Sequence, residues 1–270
     1  MNTRYNDAAS KKGKNIMRIR VLAHLDKSIS IPINHQYALT GVIYNFLKNA
    51  DIDYASFLHQ EGYRGSAETD SRRFKLFCFS TLRSRRRKIH GASLWLGPGE
   101  IEWLVTSPVE KFLQEFASGL LNAGELRIGS ATLPLSNVET LQRRTFGNKA
   151  AFTCLTPIVC SVSDNEHAHA RYLTPQDAEF SEAVRHNLIR KFIALHGHPP
   201  QEENLKLQWD ADYLQRNRGT KLVEYKSTFI KGAFAPFCVE GSVELIELLY
   251  EAGAGEKNSG GFGMVEVKEK

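Results

Sequence analysis

The stretch GSVELIELLYEAGAGEKNSGGFGMVEVK, residues 241–268, decides how the fold is read. Its first half reads as a helix that ends at Gly253, a natural C-cap. Glu240, Glu244, Glu247 and Glu251 recur at helical spacing and predict one solvated acidic stripe, turned away from any polyanion. GFGMVEVK then resumes the alternation of a strand. Between them lie five glycines within residues 253–263, and capping accounts for only the first. The segment lacks G-x-x-x-x-G-K-[ST], so it is not a triphosphate loop. Its order, helix then loop then strand, also turns the wrong helix end toward a dinucleotide phosphate. Repeated glycines do permit left-handed backbone and leave amides uncovered, the makings of an anion-binding nest. Lys257, Asn258 and Ser259 add one charge and two hydrogen-bonding side chains. The loop therefore reads as a phosphate cradle built from Gly255, Lys257, Asn258, Ser259, Gly260, Gly261 and Gly263, which positions a backbone and reads no base.

Working outward, KAAFTCLTPIVCSV reads as a strand and residues 174–196 as helical, with Phe180, Val184, Leu188 and Phe192 four apart. LKLQWDADYL and KLVEYKSTFIKGAF read as further strands. The first half of the chain has the same grammar. MRIRVLAHL is a strand, and Pro32 with the candidate cap Asn34 opens a helix whose buried stripe is Leu39, Val42, Ile43, Phe46 and Leu47. DIDYASFLHQ is a shorter helix with Tyr54, Phe57 and Leu58 on its apolar face. RRFKLFCFSTL, RKIHGASLWLG and EIEWLVTS are consecutive strands, PVEKFLQEFASGLLNAG is a helix stopping at Gly124, and LRIGSATLPLSNVETL is strand. The repeated order βα, ββ, αβ predicts an α+β protein of two tandem ferredoxin-like (RRM-like) domains with antiparallel sheets, residues 17–140 and 149–270, with the glycine-rich loop before the last strand.

Residues 1–16 are polar, lack the apolar core of a signal peptide and read as a flexible extension. No run approaches the ~18 apolar residues of a membrane span. Cys78, Cys154, Cys160 and Cys238 lie in apolar, strand-like runs without C-x-x-C spacing, as reduced, buried thiols of a cytoplasmic protein would. The formal charge of +5 is unevenly spread. From Ser71 to Gly99 there is no acidic residue, while Arg72, Arg73, Lys75, Arg83, Arg85, Arg86, Arg87 and Lys88 all fall there, which predicts a polyanion-binding edge. His24, His90, His167, His169, His186, His196 and His198 show no pairing at metal-ligand spacing, and no cofactor is implied.

PINHQYALTGVIYNFL near the start and GAGEKNSGGFGMVEV at the end resemble the signature segments of the CRISPR-associated endoribonucleases, members of the RAMP superfamily. The resemblance spans both ends of the chain; residues 91–250 offer little that matches singly. It implies metal-independent cleavage of precursor CRISPR RNA within its repeats. A ribose 2′-OH attacks the adjacent phosphate and leaves a 2′,3′-cyclic phosphate and a 5′-OH, chemistry that needs a base, an acid and a cation. The family pattern maps onto Tyr44 in the first helix, His59 in the second and Lys75 at the start of the next strand. Tyr44 lies about 130° from the centre of the buried stripe, and His59 points off its helix's apolar face. Lys75 shares strand parity with Phe77 and Phe79. His35 competes for the acid or base role but reads first as a local structural residue. The polar loop between His59 and Lys75, with Glu68 and Asp70, leaves Arg72 or Arg73 as alternative sources of the charge. The implied partner is CRISPR repeat RNA, precursor and processed, with effector-complex subunits and a homodimer as further candidates. The alternative is a non-catalytic RAMP-type subunit that holds guide RNA in an effector complex. A general RRM protein is disfavoured, since no RNP1 run lies on a strand.

Overall fold

The computed structural model describes residues 16–65, 72–162 and 170–268. The chain divides into two units, the first holding the described residues up to Gly62 with Phe79–Arg143, the second Tyr63–Cys78 with Arg144–Lys270.

The first unit runs β1 (Ile16–Leu25), β2 (Ile29–Pro32), α1 (Gln36–Ala50) and α2 (Ile52–Gln60). After the chain's excursion come β3 (Cys78–Phe79), β4 (Arg83–Ser84), β5 (Arg87–His90), β6 (Ser93–Leu96), β7 (Gly99–Thr106), α3 (Glu110–Ala123), β8 (Glu125–Ile128) and β9 (Ala131–Gln142). β1 is central because its alternate residues Ile19, Val21, Ala23 and Leu25 are all apolar and buried. It pairs antiparallel with β7 and β9 in a sheet of order β3-β7-β1-β9-β8, with β4 also on β7. β2, β6 and β5 form a separate three-stranded sheet. α1 buries the expected stripe Leu39, Val42, Ile43, Phe46 and Leu47, and Phe116 of α3 packs edge-on to Phe46 and to Trp103 of β7. The two helices meet at Gly119, where a Cβ would stand 2.1 Å from the Phe46 carbonyl oxygen.

The second unit runs β10 (Lys149–Cys154), β11 (Ser161–Val162), β12 (Arg171–Tyr172), α4 (Phe180–His196), β13 (Leu205–Trp209), α5 (Ala211–Arg216), β14 (Thr220–Tyr225), β15 (Thr228–Ala233), β16 (Phe237–Gly241), α6 (Val243–Ala252) and β17 (Val265–Val267). Its main sheet has the order β13-β16-β10-β17 with every pair antiparallel, the ferredoxin-like arrangement of β2-β3-β1-β4 within one βαββαβ unit. Phe180, Val184, Leu188 and Phe192 of α4 pack with Phe152, Leu207, Val239, Leu245 and Leu249 in one core.

Several local expectations differ from the structure. α1 is preceded by His35, not capped by Asn34. RRFKLFCFSTL, residues 72–82, is strand only at Cys78–Phe79, with an isolated bridge at Phe74. Lys75 precedes the strand, and Leu76 is left-handed at φ 54°, so the parity with Phe77 and Phe79 does not exist. DADYL is the helix α5, because Asp210 accepts the Tyr213 amide and caps it. The KAAFTCLTPIVCSV strand breaks after Cys154, and the helix expected from 174 begins at Phe180. The acidic stripe fails at both ends, with Glu240 on β16 and Glu251 buried. Of the four thiols, Cys238 is exposed and Cys154 half-buried, since strand alternation turns Cys238 away from the core. No helix of the described residues is long and apolar enough to cross a membrane. The extension up to residue 15, and Glu68, Asp70, His167 and His169, lie outside the described residues.

Candidate functional site

In the first unit, α1 ends at Ala50 and the chain turns through Asp51, whose extended backbone (φ −149°, ψ 100°) starts α2 at once. The Asp51 carboxylate accepts the Tyr54 amide at 2.9 Å and pairs with the Lys111 ammonium at 2.7 Å, and both hold its carboxyl below the usual range. This helical hairpin sets Tyr44, two turns before the end of α1, against His59, in the last turn of α2. Their ring centroids are 5.3 Å apart, edge to face. Tyr44 is half-buried and His59 exposed, so the phenol ring steadies an imidazole that solvent can reach. His35 is spent on structure. Its Nε2 accepts the Leu82 amide at 3.1 Å, which places the ring proton on Nδ1, 3.1 Å from the Pro32 carbonyl oxygen, and the ring is buried.

In the second unit, Tyr63 and Phe74 exchange two backbone hydrogen bonds of 2.8 Å and close the loop between them. Lys75 follows, half-buried, and burial first, then the Arg73 charge, push it down to about 8. It lines a cavity of about 440 Å³ together with Arg72, Arg73, Asn187, Lys191 and the loop residues 255–259.

The glycines of that loop serve close packing as much as amide exposure. Gly255 and Gly263 are left-handed at φ 67° and 75°, and a Cβ on them would stand 2.3 Å from the Val159 oxygen and 2.0 Å from the Ala254 oxygen. The amides of Gly260, Gly261 and Gly263 donate inside the unit, to Lys257, Asn258 and Pro157, and all three residues are buried. The Asn258 side chain is likewise engaged within the unit: its amide donates to the Ala254 and Phe262 carbonyls at 3.1 and 3.0 Å. What faces the cavity is the first part of the loop. Lys257 is left-handed at φ 59° and the next residues turn right-handed, a pairing that aims successive amides into one concavity. The amides of Lys257 and Asn258 have no acceptor among the described residues.

Sequence reasoning missed Lys191. On α4 it is buried, and its ammonium donates to the Gly253 and Gly255 carbonyls at 2.7 and 2.8 Å. Burial pushes it down to about 7. The available signal was a polar pair, Asn187 and Lys191, set into the apolar stripe beside Leu188 and Phe192. The basic run divides between the units. Arg72 and Arg73 stand exposed in the second, whereas Arg83, paired with Glu102 at 2.9 Å, and the exposed Arg85, Arg86, Arg87 and Lys88 belong to the first. Among the described residues no three His, Cys, Asp or Glu side chains converge to hold a metal.

Residues 30–139 match the model of the CRISPR-associated protein Cas6, N-terminal family, and residues 140–267 that of CRISPR associated protein Cas6, C-terminal. CRISPR-associated endoribonuclease Cas6 1 of Methanocaldococcus jannaschii is 30% identical over 257 residues, 94% of each chain. CRISPR-associated endoribonuclease Cas6 of Pyrococcus furiosus is 27% identical over 245 residues, 90% of this chain and 86% of the relative. The solved structure of a Cas6-related protein from Pyrococcus furiosus superimposes with a TM-score of 0.81 at 22% identity, covering 94% of this chain and 99% of its own.

Proposed function

The chain belongs to the Cas6 family of CRISPR-associated endoribonucleases, and on that premise we propose that it cuts precursor CRISPR RNA within its repeats by a metal-independent transesterification in the cytoplasm. The 2′-oxygen forms a bond to the adjacent phosphorus and gives up its proton, the bond from phosphorus to the 5′-oxygen breaks, and that oxygen takes a proton. The products are a 2′,3′-cyclic phosphate and a 5′-OH. The observation that carries the reading is the contact of Tyr44 with an exposed His59 on the α1–α2 hairpin. His59 serves as acid to the 5′-oxygen or base to the 2′-OH, a proton transfer suited to imidazole at neutral pH. Tyr44 orients the 2′-OH or takes its proton. Lys75 neutralises charge on the pentacovalent phosphorus, and the amides of residues 257–258 hold backbone phosphate.

The test incubates the full chain in EDTA with end-labelled repeat RNA and with the same RNA carrying one 2′-deoxy sugar at the cut. Cutting of the first and survival of the second is the expected result. His59→Ala should slow cutting by about 10²- to 10⁴-fold while leaving RNA affinity intact. Undiminished cutting by that variant overturns the assignment. Binding without cutting by the unaltered protein would make it a guide-RNA-holding subunit.

A further inference from the structure

The β2-β6-β5 sheet of the first unit has one face that the cleavage chemistry leaves unused. Ile31, Leu94 and Leu96 point inward and are buried, so alternation turns their neighbours outward. Trp95 stands on the outward face, 48% exposed. The register sets it opposite Lys88 on β5 and Ser30 on β2, with His90 and Ser93 paired in the next row of the same face. An indole this exposed in the middle strand of a small sheet forgoes a large apolar contact area.

The surroundings say what would cover it. From Ser84 to Gly99 there is no acidic residue. Arg85, Arg86, Arg87 and Lys88 are all exposed, and none has a carboxylate partner among the described residues; the Arg86 guanidinium donates to the Pro98 carbonyl, at 3.4 Å. Four consecutive cations with no carboxylate partner among the described residues, beside an exposed indole, match a single-stranded nucleic acid. Its phosphates meet the cations and its base meets the indole. The interior of a duplex would offer phosphates but keep its bases stacked on one another.

We infer that the outward face of the β5–β6 hairpin, centred on Trp95 and flanked by Lys88 and His90, is a stacking site for an unpaired base of the RNA. The Arg85–Arg87 run holds the neighbouring phosphates. The inference rests on the reading of the chain as an RNA-processing enzyme, and adds to it a contact that reads the strandedness of the substrate. Stacking is tolerant of base identity, so the site favours unpaired nucleotides without selecting their sequence.

The experiment measures binding of the full chain to a labelled single-stranded repeat RNA across a salt series, for the unaltered protein, Trp95→Ala, Trp95→Phe and Arg85→Ala/Arg87→Ala. Trp95→Ala should weaken binding roughly 5- to 100-fold without changing the slope of log affinity against log salt, and Trp95→Phe should recover most of the loss. The double arginine variant should lower that slope by about 1.4. An unchanged melting temperature in Trp95→Ala shows that the loss is one of contact. Equal affinity of Trp95→Ala and the unaltered protein overturns the stacking site and leaves the RNA reading standing. So does equal loss in Trp95→Ala and Trp95→Phe, which would mark a packing role. Failure of the unaltered protein to bind repeat RNA overturns the functional reading itself.

Discussion

Two lysines in one cavity wall carry opposite lessons about burial. Lys75, pushed down to about 8, is an ammonium below that pH and a neutral amine above it. A cation that stabilises developing phosphate charge therefore acts below pH 8 and fades as pH rises through it. The cleavage rate should lose that contribution on the alkaline side of about 8, and Lys75→Arg, charged to far higher pH, should remove the alkaline fall. Single-turnover rates against pH read this directly, and the same fall in both proteins would exclude Lys75. Lys191 is held near 7 when folded and sits at its ordinary 10.5 when unfolded. Between those values the unfolded chain binds the more protons, so stability should rise with pH across that window and the cost of burying the charge should be complete below it. The latch survives deprotonation, because a neutral amine still has two N–H groups for the Gly253 and Gly255 carbonyls. Lys191→Met loses both donors. Urea unfolding at pH 7 and 9.5 should show the variant with a shallower slope, Lys75 keeping its own share above pH 8, and destabilised by about 1–3 kcal/mol at the higher pH. An equal slope in the variant would assign it to another group.

At the scale of elements, the decisive fits are those that leave no room. α1 and α3 approach so closely at Gly119 that alanine would drive its Cβ to 2.1 Å from a backbone oxygen of α1. Helix propensity favours that substitution by about 1 kcal/mol, yet overpacking against backbone costs about 1–3 kcal/mol or more. Gly119→Ala should therefore unfold at lower urea than the unaltered chain, and a variant of equal or greater stability would show that the helices can part. The same constraint rules the glycine loop, where Gly255 and Gly263 are both left-handed and both jammed against carbonyls. A segment chosen for exposed amides and one chosen for close packing look alike as letters. Gly260, Gly261 and Gly263 turn out to be of the second kind, whereas Lys257 and Asn258 present their amides to the cavity.

Across the whole molecule, the order of helices and strands was legible because periodicity is local. The Leu39–Leu47 stripe and the Phe180–Phe192 spacing each declare a buried face within a few turns, and the βαββαβ order of the second unit follows from such segments read in succession. The errors came where neighbours distant in sequence set the environment. The described residues 72–78 group with the second unit, and there the strand expected around Lys75 begins only at Cys78 and Leu76 is left-handed. Tyr44 and His59 were visible as residues lying off their helices' apolar faces, but their contact depends on the turn at Asp51. By itself the sequence determined the succession of elements, the residues that face inward within each, the family to which the chain belongs and the charge it carries. Only the tertiary structure decided which polar groups leave water. Lys191 bonds to carbonyls 62 and 64 residues away, and Asn258, Glu251 and His35 are buried beside other elements. Spacing along one helix or strand is written in a few adjacent letters, whereas the burial of a charge is a property of partners that only folding assembles.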